Sequence, residues 1–324
     1  MPRPDEPAAP PAGFPVPPPG VPAPPPVPAR PLVEVAPGVH VATSQVWASN
    51  AVVVAPVPGG GDAPGNAPRN VPGNVLGDVL VVDPGVTAAE LAGLAAAVTA
   101  RGGRVVAGAS THPHWDHVLW HRALGTAPRF AAPAAVATLA ADRQRAWRDA
   151  AEVDPALDPE VFGGLTPLPA EARELPAPAP GGCAVVVHDA HAPGHLALVV
   201  RGVLLAGDML SPREVPLLDV GHDGEARPAP PDPVGDHRAA LDRLAAAAAE
   251  HGVEVLVPGH GPVVRGRGAI ADLVAADRAY LDALEREAAG GPAVADPRLA
   301  DAWVAGEHAR QVRHLRARRG APGG

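Results

Sequence analysis

From Leu32 onward the chain is a succession of short apolar runs broken by polar turns, a spacing that predicts strands first and helices second. Val33–Val35, Val39–Ala42 and Ala51–Val54 are β-branched-rich runs separated by the Pro37-Gly38 turn and a polar stretch, which predicts an antiparallel start. Residues 56–78 are rich in Gly, Pro and Asn and read as a long hairpin insertion, because strand pattern resumes at Val79–Val82. That all-apolar run ends in Asp83-Pro84-Gly85, as a buried strand opening into a turn does. Thr87 is placed to cap a helix running to about Ala100, with Glu90 three residues on as in a capping box, and Arg101-Gly102-Gly103 ends it. Arg104–Ala107 then supplies a second buried strand, and the loop beyond such a strand is where α/β proteins place their sites.

The later half repeats the style. Strands are predicted near Cys183–His188, Leu196–Val200 and Val203–Ala206, then a helix from about Asp236 to His251. A last strand, Val253–Val257, runs into Pro258-Gly259-His260-Gly261, and helices fill 268–289 and 298–318. Residues 1–31 are dominated by Pro and Ala, which form neither helix nor ladder, so they read as a disordered tail. The expected organisation is that tail, one domain of two α/β halves over 32–289, and a C-terminal helical extension over 290–324 with a disordered end.

Composition narrows the function classes. The 324 residues are 47% hydrophobic but only 3% aromatic, so Ala, Val and Leu must fill the core. A formal charge of -9 argues against binding the backbone of nucleic acids and favours a small-molecule substrate. All 26 basic residues are Arg, which excludes a Schiff-base or Walker-type lysine mechanism. The single Cys183 opens an apolar run and reads as a small core residue, so a reducing compartment, the cytoplasm, is expected. No apolar stretch approaches the ~20 residues of a membrane helix, and the N-terminus lacks a signal-peptide pattern.

The chemistry concentrates after the second buried strand. His112-Pro113-His114-Trp115-Asp116-His117 packs three imidazoles and a carboxylate into six residues. In an extended stretch His112 and His114 project to one side and share one ion, while Asp116 and His117, at the turn into a following helix, face a second. Nitrogen and oxygen donors without thiolate suit zinc, with manganese or iron as substitutes. His121, four residues after His117, would share its helix face and reads as a partly solvated position; His191 reads as a local hydrogen-bonding residue or as a support of a ligand, and His188, His40, His251, His308 and His314 carry no ligand spacing. Two Pro-rich regions read equally as site walls or as plain surface: 142–178, with Arg145, Trp147 and Phe162, and 211–236, where Asp219, His222, Asp223 and the adjoining His237 read one by one as solvated loop residues. The Arg313, Arg316, Arg318 and Arg319 run reads as a solvated helix end.

This segment resembles the signature of the metallo-β-lactamase superfamily, and further motifs of that family follow in order. They are Asp83 in Val-Val-Asp-Pro-Gly, His195 in Ala-Pro-Gly-His, Asp208 in Leu-Leu-Ala-Gly-Asp and His260 in Val-Pro-Gly-His-Gly. The resemblance implies a four-layer αββα sandwich, two mixed β-sheets packed face to face with helices outside. It implies two divalent metal ions, with His112, His114 and His195 on one, Asp116, His117 and His260 on the other, and Asp208 bridging them. Asp83 would orient a ligand through a hydrogen bond, and Asp116 would serve as the catalytic proton relay. Asp208 favours the glyoxalase II and lactonase-like branches over the β-lactamases proper, which lack this aspartate bridge. The implied activity is hydrolysis of an ester-like bond, a thioester or lactone, by a metal-bridging hydroxide. The alternatives are a single-iron oxidoreductase similar to the persulfide dioxygenases and a phosphodiesterase or nuclease of the same fold.

Overall fold

The apolar runs pair into two mixed sheets. The computed structural model describes residues 30–57, 75–180, 182–221 and 227–320. The first sheet holds β1 (Val33–Ala36), β2 (Val39–Thr43), β3 (Asn50–Val54), β4 (Gly77–Val82), β5 (Gly103–Ala109), β6 (Arg129–Ala131) and β7 (Thr166–Pro167) in sequence order. Neighbours from β1 to β4 are antiparallel, and from β4 to β7 parallel. The second sheet comprises β8 (Ala184–His188), β9 (His195–Val200), β10 (Val203–Gly207), β11 (Val255–Pro258) and β12 (Val264–Arg265), ordered β12-β11-β10-β9-β8. Only its β10–β11 pair is parallel.

Strand periodicity explains how the sheets stack, because successive side chains point to opposite faces. Along β9, Leu196, Leu198 and Val200 meet Val41, Val52, Leu80 and Val82 of the first sheet in one apolar layer. Their neighbours Ala197 and Val199 point the other way, to a layer shared with α3 (Pro233–Glu250), α4 (Arg267–Ala288) and α5 (Ala302–Gly320). On the far side of the first sheet, Val53, Val79 and Val81 pack on Leu94, Ala97 and Val98 of α1 (Ala88–Ala100). The result is the αββα sandwich. Both faces of each central strand are buried, which is why those strands read as unbroken apolar runs. Cys183 lies just before β8, buried in the layer between the sheets.

Local chemistry sets the element ends. Thr87 Oγ1 accepts the Glu90 N–H at 3.2 Å, and the Glu90 carboxylate reaches back to the N–H of Val86 at 3.3 Å, one residue before the cap. α3 begins three residues earlier than Asp236, at Pro233, capped by Asp232. The predicted 298–318 helix is divided: Pro297–Ala300 forms a 3-10 turn and α5 starts after Asp301. The wall region expected over 142–178 contains instead the end of a long helix, α2 (Pro133–Val153), whose Pro133 stands at the first position, where a missing N–H costs nothing. No helix among the described residues is long and apolar enough to cross a membrane. The expected tail through residue 29, residues 58–74 of the expected insertion and the end at 321–324 lie outside the described residues.

Candidate metal centre

The loop after β5 is fixed by one carboxylate. Asp83, at the end of β4 with φ 45°, accepts the Thr111 N–H at 2.9 Å and the Thr111 hydroxyl at 2.6 Å. Its Oδ2 also lies 2.9 Å from His117 Nδ1, which leaves His117 Nε2 turned inward. Beyond it, Trp115–His117 form a single 3-10 turn, not the start of an α-helix. His121 therefore shares no helix face with His117; its Nδ1 accepts the Ala123 N–H at 3.1 Å.

Two groups of donors result. In the first, ligand atoms of His112, His114, His191 and Asp208 lie within 4.8 Å of one another; in the second, those of Asp116, His117 and His260 do. His114 Nδ1 stands 3.0 Å from both His112 Nε2 and His191 Nε2. His117 Nε2 and His260 Nε2 are 3.3 Å apart, each 3.4 Å from Asp116 Oδ2. Asp208 spans the groups: Oδ2 is 3.6 Å from His112 Nε2 and 3.4 Å from His191 Nε2, while Oδ1 is 3.3 Å from His117 Nε2 and 3.5 Å from His260 Nε2.

His195 is not in either group, and the expectation that it joins His112 and His114 is corrected: His191 stands there instead. His195 is the first residue of β9 and pairs with His188 in the β8–β9 register, so the ladder holds it away from the convergence point. His191 sits in the turn before it, with φ 67° and its Nδ1 3.1 Å from the Leu217 carbonyl oxygen, and that backbone turns its Nε2 toward His114 and Asp208. The strand boundary decides between the two. His191 follows the end of an apolar strand run as His112 does, whereas His195 opens the next strand.

Residues the sequence reading did not select hold His260. Its Nδ1 is 3.2 Å from Ser49 Oγ and 3.3 Å from the Trp47 carbonyl oxygen. The Asn50 amide donates to the carbonyls of Pro258 at 2.9 Å and Gly261 at 2.8 Å. Gly259 is obligatory, since a Cβ there would collide with Asp208 Oδ1. Of the expected wall residues, Asp142, at the non-helical position inside α2, and Arg145 line a groove beside His114 with Pro113, Leu139, Ala192 and Pro193. Trp147 and Phe162 pack on each other, with ring centroids 5.3 Å apart. Asp219 is buried and ion-paired with Arg227 at 2.8 Å, and His237 is buried in α3; His222 and Asp223 lie outside the described residues.

The donor set fits divalent cations. Imidazole nitrogens facing one another at 3.0 to 3.3 Å need either a proton between them or a shared cation, and Asp208 Oδ1 faces His117 Nε2 and His260 Nε2 at 3.3 and 3.5 Å. Burial pulls His117 and His260 down, but Asp208 and Asp116 outweigh it, holding His117 well above the usual range and His260 at about 9. Burial opposes ionisation of Asp116 and Asp208, yet His117 and His260 keep both low. In the first group burial dominates and keeps His112 neutral, the form a metal requires.

A family model described as the metallo-beta-lactamase superfamily matches residues 76–260, more than half of the chain. The chain belongs to that superfamily. Its members are mostly metal-dependent hydrolases. Among solved structures, the chain is similar to a beta-lactamase domain protein from Burkholderia ambifaria, at 22% identity and TM-score 0.57, over 90% of this chain and 89% of that one. It is similar to a metallo-beta-lactamase family protein from Thermus thermophilus, at 23% identity and TM-score 0.56, over 88% and 94%. A stereoselective inverting sec-alkylsulfatase from Pseudomonas sp. matches at 16% identity and TM-score 0.61, over 89% of this chain and 50% of that one. At these identities the likeness speaks to the superfamily fold. A search of curated proteins found no match.

Proposed function

We propose that this superfamily member is a binuclear metal-dependent hydrolase of an ester-like bond, a thioester or lactone. His112, His114, His191 and Asp208 would hold one divalent cation and Asp116, His117, His260 and Asp208 the other, with zinc the metal that best suits the nitrogen-rich set. The observation that carries this reading is Asp208, whose two carboxylate oxygens face the two donor groups separately. What two cations so bound supply is a water of lowered pKa and a Lewis acid for the scissile bond's oxygen.

The chain's own residues do the rest. Asp116, whose Oδ2 lies 3.4 Å from the Nε2 atoms of His117 and His260, would accept a hydrogen bond from the nucleophilic water and pass its proton toward the leaving group. Asp83 fixes the ring of His117, and Asn50 and Ser49 fix the loop of His260, so the donors need little reorganisation. The groove along α2 gives the substrate an approach on the His114 side, with Leu139, Ala192 and Pro193 offering apolar contact and Arg145, ion-paired with Asp142 and Asp149, a polar wall. The acidic formal charge of -9 suits a small-molecule substrate in the cytoplasm better than nucleic acid or a membrane surface.

Metal analysis of the purified full chain, followed by turnover with thioesters, lactones, phosphodiesters, alkyl sulfates and β-lactams, tests this. Two metal equivalents with turnover of a thioester or lactone are expected. One iron with oxygen uptake would replace the hydrolase by an oxidoreductase, and activity on phosphodiesters alone would move it to the nuclease branch.

A further inference from the structure

His195 is displaced from the donor groups yet is fully buried against them. Its Nε2 lies 3.2 Å from the backbone nitrogen of Asp208, and because a backbone N–H only donates, Nε2 must be the accepting nitrogen. The ring proton is then on Nδ1, which is buried with no partner among the described residues. One face of the ring stacks on His112, with centroids 5.0 Å apart and planes 10° from parallel; the other stacks on His188, at 4.5 Å and 12°. The main chain accommodates this contact at Gly207, where φ is 56° and any Cβ would press into the His195 ring. A buried N–H left without an acceptor is costly and calls for an explanation. Here Nε2 and one ring face are committed to Asp208 and His112 and the other face to His188, with Nδ1 left over among the described residues.

We propose that His195 is a positioning residue of the metal centre: by accepting the Asp208 N–H and stacking on His112, it fixes the bridging carboxylate relative to the first donor group. His188, whose two ring nitrogens are also buried without partners among the described residues, backs the stack from the strand next door. This rests on the binuclear reading above, and it assigns to His195 a role through Asp208 and His112, with no bond to metal.

Cobalt(II) titration of the metal-free full chain, followed by its visible absorption, separates the possibilities. His195→Phe keeps a ring for the stack and removes the acceptor. His195→Gln supplies an amide oxygen without the ring, and Gly207→Ala disturbs the same contact while leaving His195 in place. The expected result for His195→Phe is uptake of two equivalents at about 10- to 100-fold weaker affinity with a shifted band. His195→Gln should lie nearer the wild type, and Gly207→Ala should shift the same band. Unchanged affinity and band in His195→Phe overturn the proposal. So does loss of one whole equivalent, the signature of a ligand, or a His195→Gln protein no better than His195→Phe. Wild-type protein that takes up no cobalt overturns the metal-centre reading itself, and with it this role.

Discussion

The two sheets contribute to the centre in different ways. The first supplies His112, His114, Asp116 and His117 from one loop, fastened inside its own sheet by Asp83 through three contacts of 2.6 to 2.9 Å. The second supplies His191, Asp208 and His260 from three separate strand ends, each fastened by a different partner. His191 leans on Leu217, Asp208 on His195, and His260 on Ser49 and Trp47 of the opposite sheet. The first half is therefore a preformed unit. The second is correct only when the strands of the second sheet, and the two sheets themselves, are packed in register. Loosening the sandwich should release the second half's donors first.

Asp208 is where the two halves meet, and its removal is the largest expected perturbation. An Asp208→Ala protein should lose at least one of two metal equivalents and fall in turnover by more than the ~10–100-fold that loss of an outer hydrogen-bond partner costs. Normal metal content by elemental analysis together with normal turnover would dissolve the bridge. Next comes Asp83, the anchor of the preformed loop. Asp83→Asn keeps the shape but cannot serve Thr111 and His117 at once, so metal affinity or turnover should drop by about 10- to 100-fold. Should competition with a chelator show wild-type affinity, the loop holds itself.

The cross-sheet tether is tested at Asn50. Asn50→Ala strands the carbonyls of Pro258 and Gly261, at a cost on the order of 1–3 kcal/mol for each left without a donor. The expected outcome is a lower melting temperature and about tenfold weaker binding of one metal equivalent, with the other unchanged. Equal weakening of both would mean that the two donor groups are not independently held.

The same contrast explains what was legible in the sequence. A loop whose donors are consecutive announces itself: His112 to His117 follow an apolar run, and their local spacing is the signal. The strands around them are as plain, because burial on both faces leaves only apolar residues over Val79–Val82, Leu196–Val200 and Val203–Gly207. Donors scattered over strand ends carry no spacing, so the choice between His191 and His195 hung on where β9 begins, a boundary that register decides. Ser49 and Asn50 were invisible for the same reason, since their partners at His260 and Gly261 lie more than 200 residues away. The prolines around α2 mask it as a Pro-rich region, although its own span after Pro133 is alanine-rich.

The smallest effect on metal binding and turnover is expected at Glu214, in the loop that follows Asp208. It lines a small polar cavity with Asp208, Ser211, His237 and Asp277, and no ligand role is assigned to it. Burial above all raises its carboxyl to about 7; Asp208 adds to the rise and His260 opposes it. A carboxyl raised from its usual 4.5 is protonated in the folded chain over a range where the unfolded chain has already ionised. Its stabilising contribution to the metal-free protein is therefore complete below about pH 4.5 and is lost as pH rises through about 7. Glu214→Gln stays neutral at every pH, so its thermal unfolding profile between pH 5 and 7 should be flatter than the wild type's once metal is removed. Parallel profiles for the two proteins would show that Glu214 ionises in the folded chain as freely as in water. Turnover of the metal-loaded variant should stay within about twofold of wild type, because a side chain that only lines the cavity behind Asp208 gives up no donor to either half.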